Sequence, residues 1–276
     1  MTTTDTDQRD DLVVHQDGGV LWIRLNRPQV RNALTVDQRR ALVAVLEAAS
    51  ENPTVRAVVI GGSGGHFCGG ADLRAGGGWP ARPPEVPARI VGDVGRRLAQ
   101  GAQRLIEALL ECDKPVIAMV EGVTAGMGVQ VALACDMIIA ADNTRFIEVF
   151  VRTAILPDSG AAYLLTRLIG PLKTKQLLFF GDEFDAAQAS AMGLVNEVVP
   201  AADLQARVEY WAHRLETGPT RTIALTKALV NTAMDRDRAS CLADEAVAQD
   251  LNMLSQDAQE GLASFVERRP VNYQGW

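Results

Sequence analysis

The 276-residue chain is 47% hydrophobic and 22% charged, an ordinary balance for a globular protein with a sizeable core. Its net charge of −7 argues against nucleic acid or an anionic membrane as the main partner, although a local basic patch can still hold an anionic ligand. Four cysteines with no CxxC pair and three scattered histidines argue against a metal site and fit free thiols in a reducing cytoplasm.

Residues 1–11 are polar and acidic and read as a disordered segment, with no apolar run of the signal-peptide kind. Leu12 to Asn26 reads as a hairpin whose turn is Asp17-Gly18-Gly19. Thr35 and Gln38 form a capping-box pattern, and Ala41, Leu42, Val45, Leu46 and Ala49 follow at helical spacing. Val55 to Ile60 is an apolar run of the buried-strand type that ends in Gly61 to Gly65. The segment from Gly76 to Pro87 is rich in Gly and Pro and reads as a mobile surface loop or lid. Pro115 to Val120 repeats the strand pattern, ends in the glycine-rich stretch Gly122 to Gly128, and precedes a short helix at Val129 to Ala134. Glu121, Gln130, Asp136 and the intervening glycines rule out a membrane span here. From Ser159 the chain is mostly helical, with a strand-like run at Leu194 to Val199 and amphipathic helices after Ala202. Strand–turn–helix repetition followed by a helical tail predicts an α/β core, residues 12–200, with a helical region over 201–276.

Both glycine turns can present backbone N–H groups to a cavity, or can simply need positive φ. Neither is a phosphate loop, since the Lys-Ser/Thr of a Walker motif and the third glycine of a dinucleotide fingerprint are missing. Gly61-Gly62-Ser63-Gly64-Gly65 matches the G-x-S-x-G nucleophile pattern, but glycines rather than a helix follow it, and His213 is the sole downstream histidine. Asp158, in Leu156-Pro157-Asp158-Ser159-Gly160, reads equally as a helix N-cap or as a general base. Phe146 and Phe150 read as core aromatics, and Arg268 and Arg269 as solvated charges at a helix end.

Many short stretches then fall in one order: Leu25-Asn26-Arg27-Pro28 with Asn32-Ala33-Leu34, Phe67-Cys68-Gly69-Gly70-Ala71-Asp72-Leu73, Lys114-Pro115-Val116-Ile117-Ala118, Gly126-Met127-Gly128, Cys135-Asp136, Gly193-Leu194-Val195-Asn196 and Phe265-Val266-Glu267-Arg268-Arg269. Together they resemble the crotonase superfamily of enoyl-CoA hydratases and isomerases, from about Asp11 to the C-terminus. The resemblance implies a spiral of ββα units with C-terminal helices that build a homotrimer or hexamer. It implies an acyl-CoA thioester substrate, with CoA as part of the substrate and no separate cofactor. The thioester oxygen would be held by the N–H groups of Gly69 and Met127. Ala71, Asp72, Leu73, Gln130 and Phe150 would line the pocket, with the segment from Arg74 to Arg97 shaping its acyl end. Arg27, and Phe265 and Arg268 from a neighbouring subunit, would bind CoA.

The hydratases of this superfamily use two glutamates, whose positions fall on Gln130 and Phe150. Neither can act as a base, and Glu148 is not expected to substitute because the stretch aligns without a gap. Pro157-Asp158-Ser159-Gly160 resembles isomerase branches that carry a catalytic aspartate there. The resemblance therefore implies a cytoplasmic enoyl-CoA isomerase with Asp158 as acid/base. The alternatives are a hydratase with an atypical base, a catalytically weak acyl-CoA binder, and more remotely a hydrolase built on Ser63. Dehalogenase branches share the aspartate but need a histidine that His15, His66 and His213 do not supply.

Overall fold

The computed structural model describes residues 11–74, 84–87 and 90–276. The disordered segment expected at residues 1–11 and the lid expected at Gly76–Pro87 lie almost wholly outside the described residues.

The chain opens as a hairpin. Strands β1 (Leu12–Asp17) and β2 (Val20–Leu25) are antiparallel around a two-residue Gly18-Gly19 turn, with Gly18 at φ 56°. Helix α1 (Val36–Glu51) begins at the expected capping box: the Gln38 amide donates to Thr35 Oγ1, and the Thr35 amide donates to Gln38 Oε1, both at 3.1 Å. Strand β3 (Ala57–Gly62) follows. After helices α2 (Asp93–Leu98) and α3 (Arg104–Glu111) come β4 (Val116–Val120), β5 (Val123–Ala125) and the short helix α4 (Met127–Leu133). Next are β6 (Met137–Ala141), β7 (Arg145–Ile147), α5 (Ala161–Phe180), β8 (Glu183–Asp185), α6 (Ala186–Ala191) and β9 (Glu197–Val199). Helices α7 (Leu204–Glu216), α8 (Thr220–Ala233), α9 (Arg238–Asn252) and α10 (Gln256–Glu267) complete the fold.

One sheet runs β1-β2-β3-β4-β6-β9 and is parallel beyond the opening hairpin. Its central strands are covered on both faces, which is why they read as unbroken apolar runs rather than alternating ones. On one face Leu42, Leu46, Leu105, Leu109 and Val129 pack beneath α1, α3 and α4. On the other, Val59, Ile117 and Ile139 meet Leu204, Val208 and Ala212 of α7. A smaller sheet, β5-β7-β8, was not foreseen because each of its strands is only three residues long. It is cemented by the stacked rings of Phe146 and Phe184, with centroids 5.3 Å apart.

Two elements depart from expectation. The run Leu194–Val199 is a strand only from Glu197, because the Leu194 amide is drawn back to the Ala189 carbonyl at the end of α6. Asn196 then stands in for a ladder residue: its Oδ1 accepts from the Ile138 amide at 2.7 Å. Helix α5 breaks at Gly170-Pro171, where Gly170 takes φ 73°.

The C-terminal helices are tied to the core by an ion pair. Lys227 of α8 reaches inward to Asp136 Oδ2 at 2.8 Å and also donates to the Leu109 carbonyl at 2.9 Å. Asp136 Oδ2 in turn accepts from the Val116 amide at 2.7 Å. Removing the ammonium would leave Asp136 largely buried and uncompensated. Lys227→Met is therefore expected to lower stability by about 3 kcal/mol. Urea denaturation checks this, and an unchanged midpoint would remove the pair from the list of forces holding α8.

Candidate functional site

Two glycine turns meet at one end of the large sheet. The turn after β3 is drawn against β5 by hydrogen bonds from the Cys68 amide to the Val123 carbonyl (3.2 Å) and from the Ala125 amide to the Cys68 carbonyl (2.9 Å). The approach leaves no room for side chains. A Cβ on Gly128 would overlap the Cys68 carbonyl, and one on Gly70 would lie 2.8 Å from the Ala125 carbonyl and 3.6 Å from the Met127 amide nitrogen. Gly126, at φ 50°, turns the chain into α4 and leaves the Met127 amide at the helix start, where no intrahelical acceptor exists.

The expected partner of Met127 needs correction. The Gly69 N–H is already spent: it donates to the Arg31 carbonyl at 2.7 Å. Two residues on, the Leu34 amide donates to the Gly70 carbonyl (2.8 Å) and the Asp72 amide to the Leu34 carbonyl (3.0 Å). Backbone groups alternate in direction along such a ladder, so the Ala71 N–H faces away from Leu34. Among the described residues neither the Ala71 nor the Met127 amide has an acceptor. Both residues line one cavity of about 350 Å³, together with Asp72, Leu73, Arg39 and Asp158.

Asp158 is not a helix cap. Gly160 takes the N-cap position of α5, with no side-chain cap, and the Asp158 carbonyl rather than its carboxylate accepts from the Ala161 amide. Ser159 and Gly160 are successive positive-φ residues, at 55° and 80°, and they turn the chain between Asp158 and the helix. The half-buried carboxylate then accepts a 2.7 Å hydrogen bond from the Ser159 hydroxyl.

The remaining expected site residues sit elsewhere. Gln130 and Phe150 are buried and are not among the residues that line this cavity; the Phe150 ring instead lies near Gly126, behind the start of α4. Arg27 is held by Asp72 at 2.8 Å and by the Ala33 carbonyl at 2.8 Å, so it braces the strand-to-turn junction. Phe265 is 83% exposed, and with Arg268 it borders a separate surface hollow at the end of α10. Ser63 makes its side-chain contact with Asn32 Oδ1, while His66 Nδ1 accepts from the Val123 amide and His213 lies beside Glu216. Among the described residues no serine–histidine pair forms, which removes the structural basis for the hydrolase reading.

Sequence reasoning missed two features. The first is Arg39, on the rim of the buried stripe of α1, which shares the cavity with Asp158. An arginine three residues before the buried Leu42 was the available signal. The second is the buried pairing of Glu148, a residue not expected from the sequence to serve as a base: it is 0% exposed and accepts from the Gln130 amide at 2.8 and 3.1 Å. Burial pushes its carboxyl up to about 7, against the lowering influence of that amide. Gln130 Oε1 is also buried and has no partner. A half-turn of the amide presents this oxygen to a protonated Glu148, so the pair can be held in either charge state of the acid.

The buried acid makes stability depend on pH. Its folded pKa of about 7 lies above the reference 4.5, so between those values the folded chain binds more protons than the unfolded one. Stability is thus lost as pH rises from about 4.5 to about 7, by roughly 3 kcal/mol in all. Glu148→Gln should flatten that slope and gain most over the parent above pH 7. Denaturant midpoints at pH 5 and pH 8 test this; equal slopes in the two proteins would contradict it.

Comparison with known proteins matches this geometry to one family. The profile of the enoyl-CoA hydratase/isomerase family matches residues 15–275. The chain is 34% identical over 265 residues to a crotonyl-CoA hydratase of Syntrophomonas wolfei, covering 96% of this chain and 98% of that one. It is 30% identical over 264 residues to a 1,2-epoxyphenylacetyl-CoA isomerase of Escherichia coli, with the same coverage. The fold superposes on an enoyl-CoA hydratase from Polaromonas sp. JS666 with a TM-score of 0.85 at 31% identity, covering 95% of this chain and 99% of that one. The chain belongs to the enoyl-CoA hydratase/isomerase family, the crotonase superfamily whose motifs it carries.

Proposed function

We propose that this protein is an enoyl-CoA isomerase that shifts a carbon–carbon double bond within an acyl-CoA thioester. The observation that carries the reading is the shared cavity: Asp158, whose carboxylate is not spent on capping a helix, and Ala71 and Met127, whose amides have no acceptor among the described residues, line the same space. The Ala71 and Met127 N–H groups would hold the thioester oxygen as negative charge grows on it. Asp158 would take a proton from C2 of a 3-enoyl thioester. The electron pair spreads from the thioester oxygen to C4, and the same carboxyl returns the proton at C4 to give the conjugated 2-enoyl product. One carboxyl suffices because no water is activated. No metal or organic cofactor takes part in this scheme.

A hydratase using an unusual base is the second reading. Several similar proteins bear hydratase names, and Glu148 lies against Gln130 with a carboxyl poised near neutrality. Its complete burial and its absence from the residues that line this cavity favour Asp158 as the group that meets substrate. Asp158→Asn should reduce double-bond migration roughly 10²- to 10⁴-fold while thioester binding persists. Following conjugated-thioester absorbance with a 3-enoyl-CoA substrate gives the measurement. Full activity in that variant would return the chemistry to Glu148, whereas no turnover in the parent would leave a binding role.

We also propose a trimer or hexamer. Helix α9 spans 15 residues with none buried in the single chain, yet it carries the exposed Leu242, Val247 and Leu251. Exposed Phe179 and Phe180 at the end of α5 add to the apolar surface. Phe265 and Arg268 would then reach CoA on a neighbouring subunit. Light scattering should give three or six times the chain mass, and a stable monomer at micromolar concentration would defeat the proposal.

A further inference from the structure

Among the polar groups of the cavity that the proton-transfer scheme does not use, Arg39 lies beside the Met127 end of the proposed oxyanion site. Arg39 is half-buried, and its guanidinium lines the same space as Ala71, Met127 and Asp158. Among the described residues its side-chain hydrogen-bond contact is a weak approach of Nη1 to Met127 Sδ at 3.9 Å. Its Nε is buried and has no partner. Arg40, next along α1, instead has Asp37 at 3.5 Å. Among the described residues the half-buried Arg39 cation thus has no oxygen acceptor to offset its partial loss of solvation. Burial lowers its basicity, and the charge of Asp158 only partly opposes the effect.

A guanidinium so placed is poorly suited to a bare hydrocarbon chain. It offers several donors in a fixed plane, and an oxygen on the ligand can fill them. Asp158 cannot do so fully, because it acts on Arg39 through space and takes its hydrogen bond from Ser159.

We infer that Arg39 is a specificity-determining residue that selects acyl-CoA thioesters whose acyl group carries an oxygen acceptor, such as a hydroxyl or carboxylate, over unsubstituted hydrocarbon chains. The inference rests on the acyl-thioester reading above but not on the isomerase chemistry, so binding rather than turnover tests it.

The full-length protein and its Arg39→Met variant are titrated calorimetrically with butyryl-CoA, 3-hydroxybutyryl-CoA and succinyl-CoA. The readout is the affinity for each oxygenated thioester divided by that for butyryl-CoA. Hydrogen bonds to a charged group correspond to roughly a ten- to hundredfold effect on affinity. The ratio for at least one oxygenated thioester should fall by that factor in Arg39→Met, with partial recovery in Arg39→Lys. A larger fall for succinyl-CoA marks a preference for an anion; a larger fall for 3-hydroxybutyryl-CoA marks a preference for a neutral oxygen. Ratios that match the parent, with butyryl-CoA still bound, overturn the role of Arg39 alone. Failure of the parent to bind any of the three thioesters overturns the acyl-thioester reading together with this one.

Discussion

The site depends on how closely two stretches of backbone approach each other. The turn at Cys68–Ala71 and the start of α4 at Gly126–Gly128 come so near that Gly70 and Gly128 cannot carry a Cβ. Strand β5 enforces the approach by bonding to Cys68 on both its N–H and C=O sides. This constraint fixes the Ala71 and Met127 amides on rigid supports before any ligand arrives. In the proposed scheme a donor pair held in this way would need no reorganisation as charge develops on the thioester oxygen. The small sheet β5-β7-β8 has its structural role here, since it anchors the far side of the junction.

Two carboxyl groups near this junction have opposite surroundings. Asp158 sits at the cavity, in contact with a hydroxyl and near a cation. Glu148 is sealed behind it with an amide as its hydrogen-bond partner. Burial favours the neutral form of Glu148, whereas Asp158 keeps access to the cavity where a ligand would lie. Position along the chain did not separate these roles: Glu148 is close in sequence to a position where a base was expected, and Asp158 stands at the entrance to a helix. Solvent access and bonding partners separate them.

Much of the fold was legible in the sequence, and for physical reasons. The hairpin turn, the capping box of α1 and the buried runs of β3 and β4 are governed by local patterning, and they lie where that patterning places them. The site was less legible because its decisive features are not local. Gly69 and Ala71 are two residues apart in one glycine-rich turn, and only the ladder with Leu34 and the bond to Arg31 distinguish the occupied amide from the free one. Arg39 reads as a surface charge on an amphipathic helix until the cavity is seen beside it. The sequence around Asp158 reads equally as an N-cap or a general base because capping residues commonly precede helices, and only the Ser159-Gly160 turn, which moves the cap two residues onward, separates the two.

The polar groups of the cavity form a connected electrostatic set. Asp72 lines the cavity but is neutralised by Arg27, so it adds little net field. Asp158 and Arg39 are opposed charges in the same cavity, and they interact through space. The Asp158 charge offsets part of the cost of burying the Arg39 cation. Protonation of Asp158 during turnover would remove that offset and leave Arg39 more exposed to its own desolvation. An oxygen on the acyl group would then have its greatest effect at the stage when the carboxyl holds the proton. In the proposed scheme, the residue that would select the substrate and the residue that would move the proton are thus coupled through charge rather than through a hydrogen bond.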